Sequence, residues 1–366
     1  MTTDEYTPIV VIGGGQAGLA TSYQLTMQGL DHVVLDANER PGGGWRHRWD
    51  SLKLFTPIRI DHLEGLPFPR RGPLPTAEEF ADYLELYERT FELPVRHGTR
   101  VERLSAEGDG FTIRTSHGDV RADSVVVAMS SLQEPKVPAL AAELAPGITS
   151  LHSSEYRNPG QLRPGGVLVV GVGNSGAEIA VETVRDHETW LAGRESGALP
   201  FRIDSWFGRN IGTRIVFHVF FHVLTMDTAI GRRARPVLLS QAAPLMRQRP
   251  ADLRRAGVRR IPRIAGTRDG RPVAEDGTVP DITNVIWCTG YRTGLADWVD
   301  LPVLDDRDMP VQERGVVHDH PGLYFVGQNY LYAQASETVP GVSRDARYVA
   351  DAIAARVKAA HARAAR

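Results

Sequence analysis

The sequence predicts an α/β fold built from two similar βαβ units, one inserted into the other. Three observations predict it. The chain opens on a buried-strand run, a glycine turn and a helix: Ile9–Ile12, then Gly13 to Gly18, then residues 19–28. The same grammar returns 158 residues later (171 − 13): Val167–Val170, Gly171 to Gly176, and a helix over 177–185. Two further apolar strands, 124–129 and 284–289, lie on either side of this second start. The chain therefore leaves the first unit and returns to it.

The elements follow in order. Gly29 closes the first helix, and Val33-Val34-Leu35-Asp36 reads as the next strand. Short β-rich pieces split by Gly and Asp over 96–124 read as antiparallel strands. Pro135, Pro138, Pro159 and Pro164 bracket a crossover. Thr189–Ala192 is the second strand of the inserted unit, and an Ala-rich helix over 342–362 ends the chain. The expected division is a discontinuous unit, 1–155 and 281–366, around an inserted unit, 156–280.

Composition excludes several classes. Of 366 residues, 42% are hydrophobic and 23% charged, with a net charge of −2, so nothing favours nucleic acid or an anionic membrane as a general partner. Cys288 is the one cysteine, which excludes an internal disulfide, a Cys-x-x-Cys redox pair and a Cys/His metal cluster. No metal site is expected. Residues 2–8 lack the basic start of a secretion signal, and the longest apolar run, 215–226, contains His218 and His222 and is too short to span a bilayer. A cytoplasmic location is expected. No charged cluster along the chain marks a carboxylate or amine pocket.

Each glycine turn has the form Gly-x-Gly-x-x-Gly after a strand and before a helix. Gly13 and Gly171 permit the tight turn, Gly15 and Gly173 let the backbone approach a pyrophosphate, and Gly18 and Gly176 let helix and strand pack closely. The helix N-terminus offers free N–H groups to the phosphates. Two such turns imply two dinucleotides in a Rossmann-like pair, a flavin that accepts hydride and a nicotinamide that donates it. The turns differ further on. Asp36 follows Gly13 by 23 residues (36 − 13) and can accept bonds from ribose hydroxyls, whereas the same step from Gly171 reaches Arg194, which can pair with a 2′-phosphate. Equal spacing predicts that Asp36 and Arg194 occupy equivalent strand ends.

At this point the sequence resembles the flavin-containing monooxygenase family, over most of its length. Gly13, Gly15 and Gly18 with Asp36 are similar to its FAD fingerprint, Gly42-Gly43-Gly44-Trp45 to its Gly-Gly-x-Trp, and Gly171-Val172-Gly173-Asn174-Ser175-Gly176-Ala177 to its NADP fingerprint. Trp287-Cys288-Thr289-Gly290-Tyr291 resembles its Ala-Thr-Gly-Tyr strand end, and Gly322 to Gly327 its flavin-contacting strand. The resemblance implies an FAD site of Gly13, Gly15, Gln16, Ala17, Gly18, Asp36, Ala37, Gly43, Gly44, Trp45, Trp49, Leu54, Val101, Thr289, Gly290 and Gly327. It implies an NADPH site of Gly171, Gly173, Asn174, Ser175, Gly176 and Arg194. The flavin ring is then expected where Trp45, Thr289 and Gly327 converge, with the last helix aimed at it from Gly341. In the family's identifying segment, Leu151 to Pro159 matches the second half, while Ile148 and the displaced Gly147 break the first. Ala128-Met129-Ser130 alters the first Ala-Thr-Gly, and Phe55-Thr56-Pro57 replaces Asn-x-Pro.

The activity so implied is NADPH reduction of FAD, formation of a C4a-hydroperoxide with O2, and transfer of one oxygen to nitrogen, sulfur or a carbonyl carbon of a small apolar substrate. No side-chain nucleophile is required. Two alternatives stay open: a reductase or oxidase that releases peroxide or feeds electrons to a partner, and a redox sensor. Assembly as a homo-oligomer also stays open. His152 reads as positioning the linker or the bound nicotinamide, or as a satisfied linker histidine; Cys288 reads as a small apolar residue or a reactive thiol near the flavin; and the 215–226 run reads as substrate tunnel, dimer face or core.

Overall fold

The computed structural model describes residues 5–72, 74–195, 197–240 and 243–365. Two five-stranded parallel sheets form its centre. The first runs, in spatial order, Leu323–Phe325, Ser124–Val127, Ile9–Ile12, Val33–Leu35, Val95–Arg96. The second runs Thr149–His152, Asn284–Trp287, Val167–Val170, Thr189–Ala192, Arg259–Ile261. The two orders correspond strand for strand. Near-continuous apolar runs suit such sheets because both faces are covered.

Alternation assigns the faces of the first sheet. Ile9, Val11, Val34 and Val126 pack with Leu19, Ala20, Val342, Ala346 and Val349, which belong to the helices Gln16–Met27 and Val339–Ala364. Val10, Ile12, Val33, Leu35, Val125 and Val127 face the opposite way, onto Leu104, Phe111, Ile113 and Val120. Those residues come from the antiparallel strands Val101–Glu107, Gly110–Thr115 and Gly118–Ala122, which form the expected ribbon.

Several expectations shift. The two turn helices start at Gln16 and Asn174, three residues early, because the third glycine of each motif lies within the first helical turn. The last helix starts at Val339 with Pro340 in its first turn, where proline lacks no needed donor. Strands expected to reach Met129 and Thr289 end at Val127 and Trp287. The largest shift concerns sheet membership. Thr149–His152 and Asn284–Trp287 were expected in the first unit, yet both pair within the second sheet. The buried run Asn284–Trp287 carries no cue to which of two parallel sheets it joins, and the half-buried Thr149–His152 is placed only by its pairing with it.

Two crossovers link the units. Glu134–Pro135 pairs antiparallel with Tyr291–Arg292. Among the described residues, no helix is long and apolar enough to cross a membrane.

Candidate dinucleotide sites and the cleft between them

The two turns are built alike. Gly13 and Gly171 adopt φ +105° and +113°, which an L side chain rarely reaches. Gly13 N–H donates to Leu35 and Gly171 N–H to Ala192, at 2.8 and 2.9 Å. A Cβ on Gly18 would lie 1.7 Å from the Gly13 carbonyl oxygen, and one on Gly176 would lie 1.9 Å from that of Gly171. Only glycine fits either place. By contrast, a Cβ on Gly15 or Gly173 would meet nothing within 4 Å. Each helix N-terminus thus faces open space, as a bound pyrophosphate requires.

Strand register corrects the expected equivalence of Asp36 and Arg194. Ile12 pairs with Leu35 and Val170 pairs with Ala192. Asp36 therefore matches Gly193, and Arg194 matches Ala37. The stretch from turn to strand end is one residue shorter in the second unit. The swap is compensated inside each turn. A Cβ on Gly14 would lie 2.8 Å from Asp36 Cβ, whereas a Cβ on Gly193 would lie 2.9 Å from Val172 Cγ2. The first turn is small where the strand end carries an acid; the second is bulky where the strand end is glycine.

Asp36 is buried and accepts from the Asn38 side-chain amide at 2.9 Å, with His97 Nδ1 3.8 Å from its other oxygen. Ala37 and Arg194 are exposed. Arg260 donates to the Leu191 and Gly193 carbonyls at 2.7 and 2.9 Å, holding the loop that carries Arg194. Nothing in the sequence singled Arg260 out. Arg202 is already paired with Asp204 and Asp252.

Around the first turn, buried Ala17 packs beneath Gly327, whose φ is +80° and whose Cβ would lie 2.6 Å from Ala17 Cβ. Gln16 Nε2 donates to the Glu337 carbonyl at 2.9 Å, while Gln16 Oε1 is buried without a partner. Burial pushes the Glu337 carboxyl up to about 7. Gly43–Arg46 is a single helical turn in which a Cβ on Gly43 would strike Asn38, while Gly44 faces open space. Trp45 stands edge-on to Phe80 at 5.0 Å. Leu54 joins the core beneath Ala17. Val101 opens the first strand of the antiparallel ribbon and packs against the face of the first sheet opposite the helices.

Trp49 lies at the border of the second unit. It packs with Tyr156 and Val169 in the core of the second unit, and its Nε1 is buried without a partner. Arg157 donates to the Arg46 and Arg48 carbonyls, and Arg48 to the Tyr291 hydroxyl. The 45–50 segment is therefore a seam between the units. Orphaned polar atoms on Gln16 and Trp49, together with the open glycine faces, fit a large polar cofactor at this seam.

Thr289 and Gly290, expected at the flavin, follow the strand beside the second turn. A Cβ on Gly171 would lie 2.2 Å from the Cys288 carbonyl oxygen, just as one on Gly13 would lie 3.1 Å from that of Ala128. Cys288-Thr289-Gly290 and Ala128-Met129-Ser130 are thus counterparts. Buried Gln328, which sequence reasoning missed, donates to Met129 O at 2.7 Å and accepts from Ser131 at 2.9 Å, tying the first crossover to Gly327.

At the second turn, both amide atoms of Asn174 are engaged, donating to Pro244 O and accepting from Met246 N–H. Asn174 thereby shapes the site's rim, while Ser175 is half-buried beside it. His152 is buried, with Nδ1 at 2.9 Å from Ser154 Oγ and Nε2 at 3.1 Å from Gly290 O, which suits a linker pin. Burial pushes the Cys288 thiol up to about 12, far from a reactive thiolate at neutral pH.

The apolar 215–226 run is helical within 206–223, with π-helical turns at Gly208–Gly212 and Val219–Val223. It docks onto the flavin-side unit: Met226 N–H donates to Tyr332 O and Gln334 N–H to Leu224 O, at 2.8 and 3.0 Å. Phe217 and Phe221 face Arg59 and Ile60 across a cavity. The run therefore forms an inter-unit wall.

Residues 10–198 match the family described as pyridine nucleotide-disulphide oxidoreductase. The chain is 36% identical to the CzcO-like oxidoreductase of Geobacillus kaustophilus, over 93% of this chain and 96% of that one. It is 28% identical to indole-3-pyruvate monooxygenase YUCCA4 of Oryza sativa, over 95% and 87%. Its fold superposes on a flavin-containing monooxygenase from Stenotrophomonas maltophilia with TM-score 0.78 and 30% identity, covering 96% of this chain and 99% of that one. The chain thus belongs to the pyridine nucleotide-disulphide oxidoreductase family and groups within it with the flavin-containing monooxygenases, oxidoreductases that use FAD and NADPH.

Proposed function

We propose that this protein oxidises NADPH through FAD and transfers one oxygen atom from O2 to a small, largely apolar substrate. One observation carries the reading: two like-built glycine turns with opposite strand ends, Asp36 at one and Gly193-Arg194 at the other. FAD and NADPH differ at that point, since only NADPH carries a 2′-phosphate. The first turn holds FAD, with Asp36 on its ribose and Gly15 at its pyrophosphate. The second holds NADPH, with Gly173 at the pyrophosphate and Arg194 beside the 2′-phosphate. The NADPH unit extends over 136–290, taking in both flanking strands of its sheet.

When bound, the cofactors supply hydride transfer and activation of O2. The chain's own groups bind, orient and exclude water. Trp45, Gln16 and Gly327 line the flavin seam, while Thr289 and Gly290 close it from the nicotinamide side. His152 and Gln328 hold the two crossovers in place. No described side chain is needed as a nucleophile. The protein works in the cytoplasm.

The test is aerobic turnover of the flavin-loaded enzyme with NADPH and a panel of amines, sulfides and ketones. An oxygenated product formed in step with NADPH oxidation supports the reading. Stoichiometric peroxide with every compound contradicts it and favours a reductase or oxidase.

A further inference from the structure

Two adjoining cavities separate residues 57–72 from the helical wall 206–223. One, of about 230 Å³, is lined by Ile60, Phe217 and Phe221 together with Arg59 and Arg214. The other, of about 510 Å³, is lined by Pro57, Ile58 and Phe68 together with Arg59, Arg70, Arg71 and Arg209. Arg59 is common to both, so they form one cleft. Its combined size is that of an ordinary small-molecule site, roughly 300–1,000 Å³.

Five arginines gather here from two segments far apart in the chain. Only Arg70 has a carboxylate partner, Glu79 at 2.5 Å. Among the described residues, none pairs with Arg59, Arg71, Arg209 or Arg214. Arg59 is instead held by the neutral Thr213 hydroxyl at 3.3 Å, and both burial and the charge of Arg214 depress its affinity for a proton. The acid between Arg59 and His62 is Asp61. It accepts from Thr56, its second oxygen has no partner, and burial pushes its carboxyl well above the usual carboxylate range. Asp61 is itself fully buried and does not line the cleft. The cleft therefore holds Arg59, Arg71, Arg209 and Arg214 beside apolar walls with no carboxylate partner among the described residues.

We propose that this cleft binds a small anionic amphiphile, its carboxylate against Arg59 and Arg214 and its apolar portion against Ile60, Phe217 and Phe221. Such an anion relieves the repulsion between the two guanidiniums and forms charge-assisted hydrogen bonds with both. The apolar part buries surface that the phenylalanines leave open. As the substrate cleft, this rests on the oxygenase reading; as a binding site, it does not. The wall is anchored at Tyr332 and Gln334, close in sequence to Glu337, whose carbonyl holds Gln16 of the first turn.

The experiment is isothermal titration calorimetry of the flavin-loaded protein, without NADPH, using octanoate and octanamide as probes. Octanoate should bind at least about tenfold tighter than octanamide, and its affinity should fall as salt rises. Arg214→Ala should lose roughly tenfold or more, Arg214→Lys should keep most of the affinity, and Arg59→Ala gives a second, independent loss. Equal binding of acid and amide overturns the proposal, as does unchanged octanoate affinity in both alanine variants. The same helical stretch exposes Trp206 (68%) and Ile215 (58%). Capture by phosphatidylglycerol vesicles that octanoate does not compete away would mark a lipid-facing surface and also overturn it. Calorimetry reads no turnover, so an inactive oxygenase with intact octanoate binding would refute the reaction and leave the cleft assigned.

Discussion

The two glycine turns share strand order, turn dihedrals and the helix–strand contact, yet differ at one paired position. In the first, Gly14 clears space for the buried Asp36. In the second, Val172 fills the space above Gly193, and the first side chain after it is the exposed Arg194. The lesson is that ligand preference lies in a coupled pair, turn residue and strand end, rather than in the acid or arginine alone. The glycines that make the turn are common to both sites and carry no preference.

The strongest way to break the comparison is to destroy one turn at a time. Gly18→Val and Gly176→Val place a side chain where the Gly13 or Gly171 carbonyl oxygen already sits, within 1.9 Å. Each should cost more than ~4 kcal/mol of unfolding free energy, measured by urea denaturation. A loss confined to one of the two would show that the turns are not built alike.

Next in size is Arg194. A hydrogen bond to a charged group contributes about 1.5–3 kcal/mol, or roughly ten- to hundredfold in affinity. Arg194→Ala should raise KM for NADPH by that factor with kcat little changed, and erase the preference over NADH. An unchanged ratio of kcat/KM for the two nucleotides would mean that Arg194 points into solvent.

The coupled pair is sharpened by Gly14→Val, which copies the second turn into the first. It should clash with Asp36, costing about 1–3 kcal/mol of stability, and weaken flavin retention on dialysis. Gly14→Val combined with Asp36→Gly should recover stability but not flavin affinity. Full flavin retention in the single variant would contradict the coupling.

The smallest effect is one of pH. Carboxyls near both turns are pushed up to about 7 by burial: Glu337 at the first, with no cation partner among the described residues, and Glu178 at the second, opposed by Arg247 at 2.9 Å. A raised carboxyl pKa means the folded state binds the extra proton, so stability falls as pH rises from about 4.5 towards 7. For Glu337, the slope is at most ~1.4 kcal/mol per pH unit. Glu337→Gln should flatten the melting-temperature profile of the flavin-free protein over that range. An unaltered slope would place the titration elsewhere.

Much of this was legible in the sequence, for identifiable reasons. Glycine turns need particular residues at fixed spacing, and parallel strands need continuous apolar runs, so both turns and their neighbouring strands can be read directly. The one-residue offset between Asp36 and Arg194 could not be read, because strand register is set by pairing partners. Nor could the membership of Asn284–Trp287, which either sheet would bury, or of Thr149–His152, a half-buried edge strand placed by its pairing alone. Gln328 and Arg260 act on backbone carbonyls distant in sequence, and such contacts leave no local pattern. The cleft arginines escaped for the same reason: Arg59, Arg70 and Arg71 meet Arg209 and Arg214 only after the units dock.

The division of labour between the turns is tested most directly by paired variants that enter open space and so spare the fold. Gly15→Val and Gly173→Val each put a side chain where a Cβ meets nothing within 4 Å. The absorbance spectrum is recorded as purified and again after anaerobic addition of NADPH. The account predicts that Gly15→Val is folded and colourless. Gly173→Val should be yellow with about one FAD per chain, yet resist bleaching by NADPH at concentrations that bleach the wild type. A yellow Gly15→Val, or a Gly173→Val bleached as readily as the wild type, would contradict it.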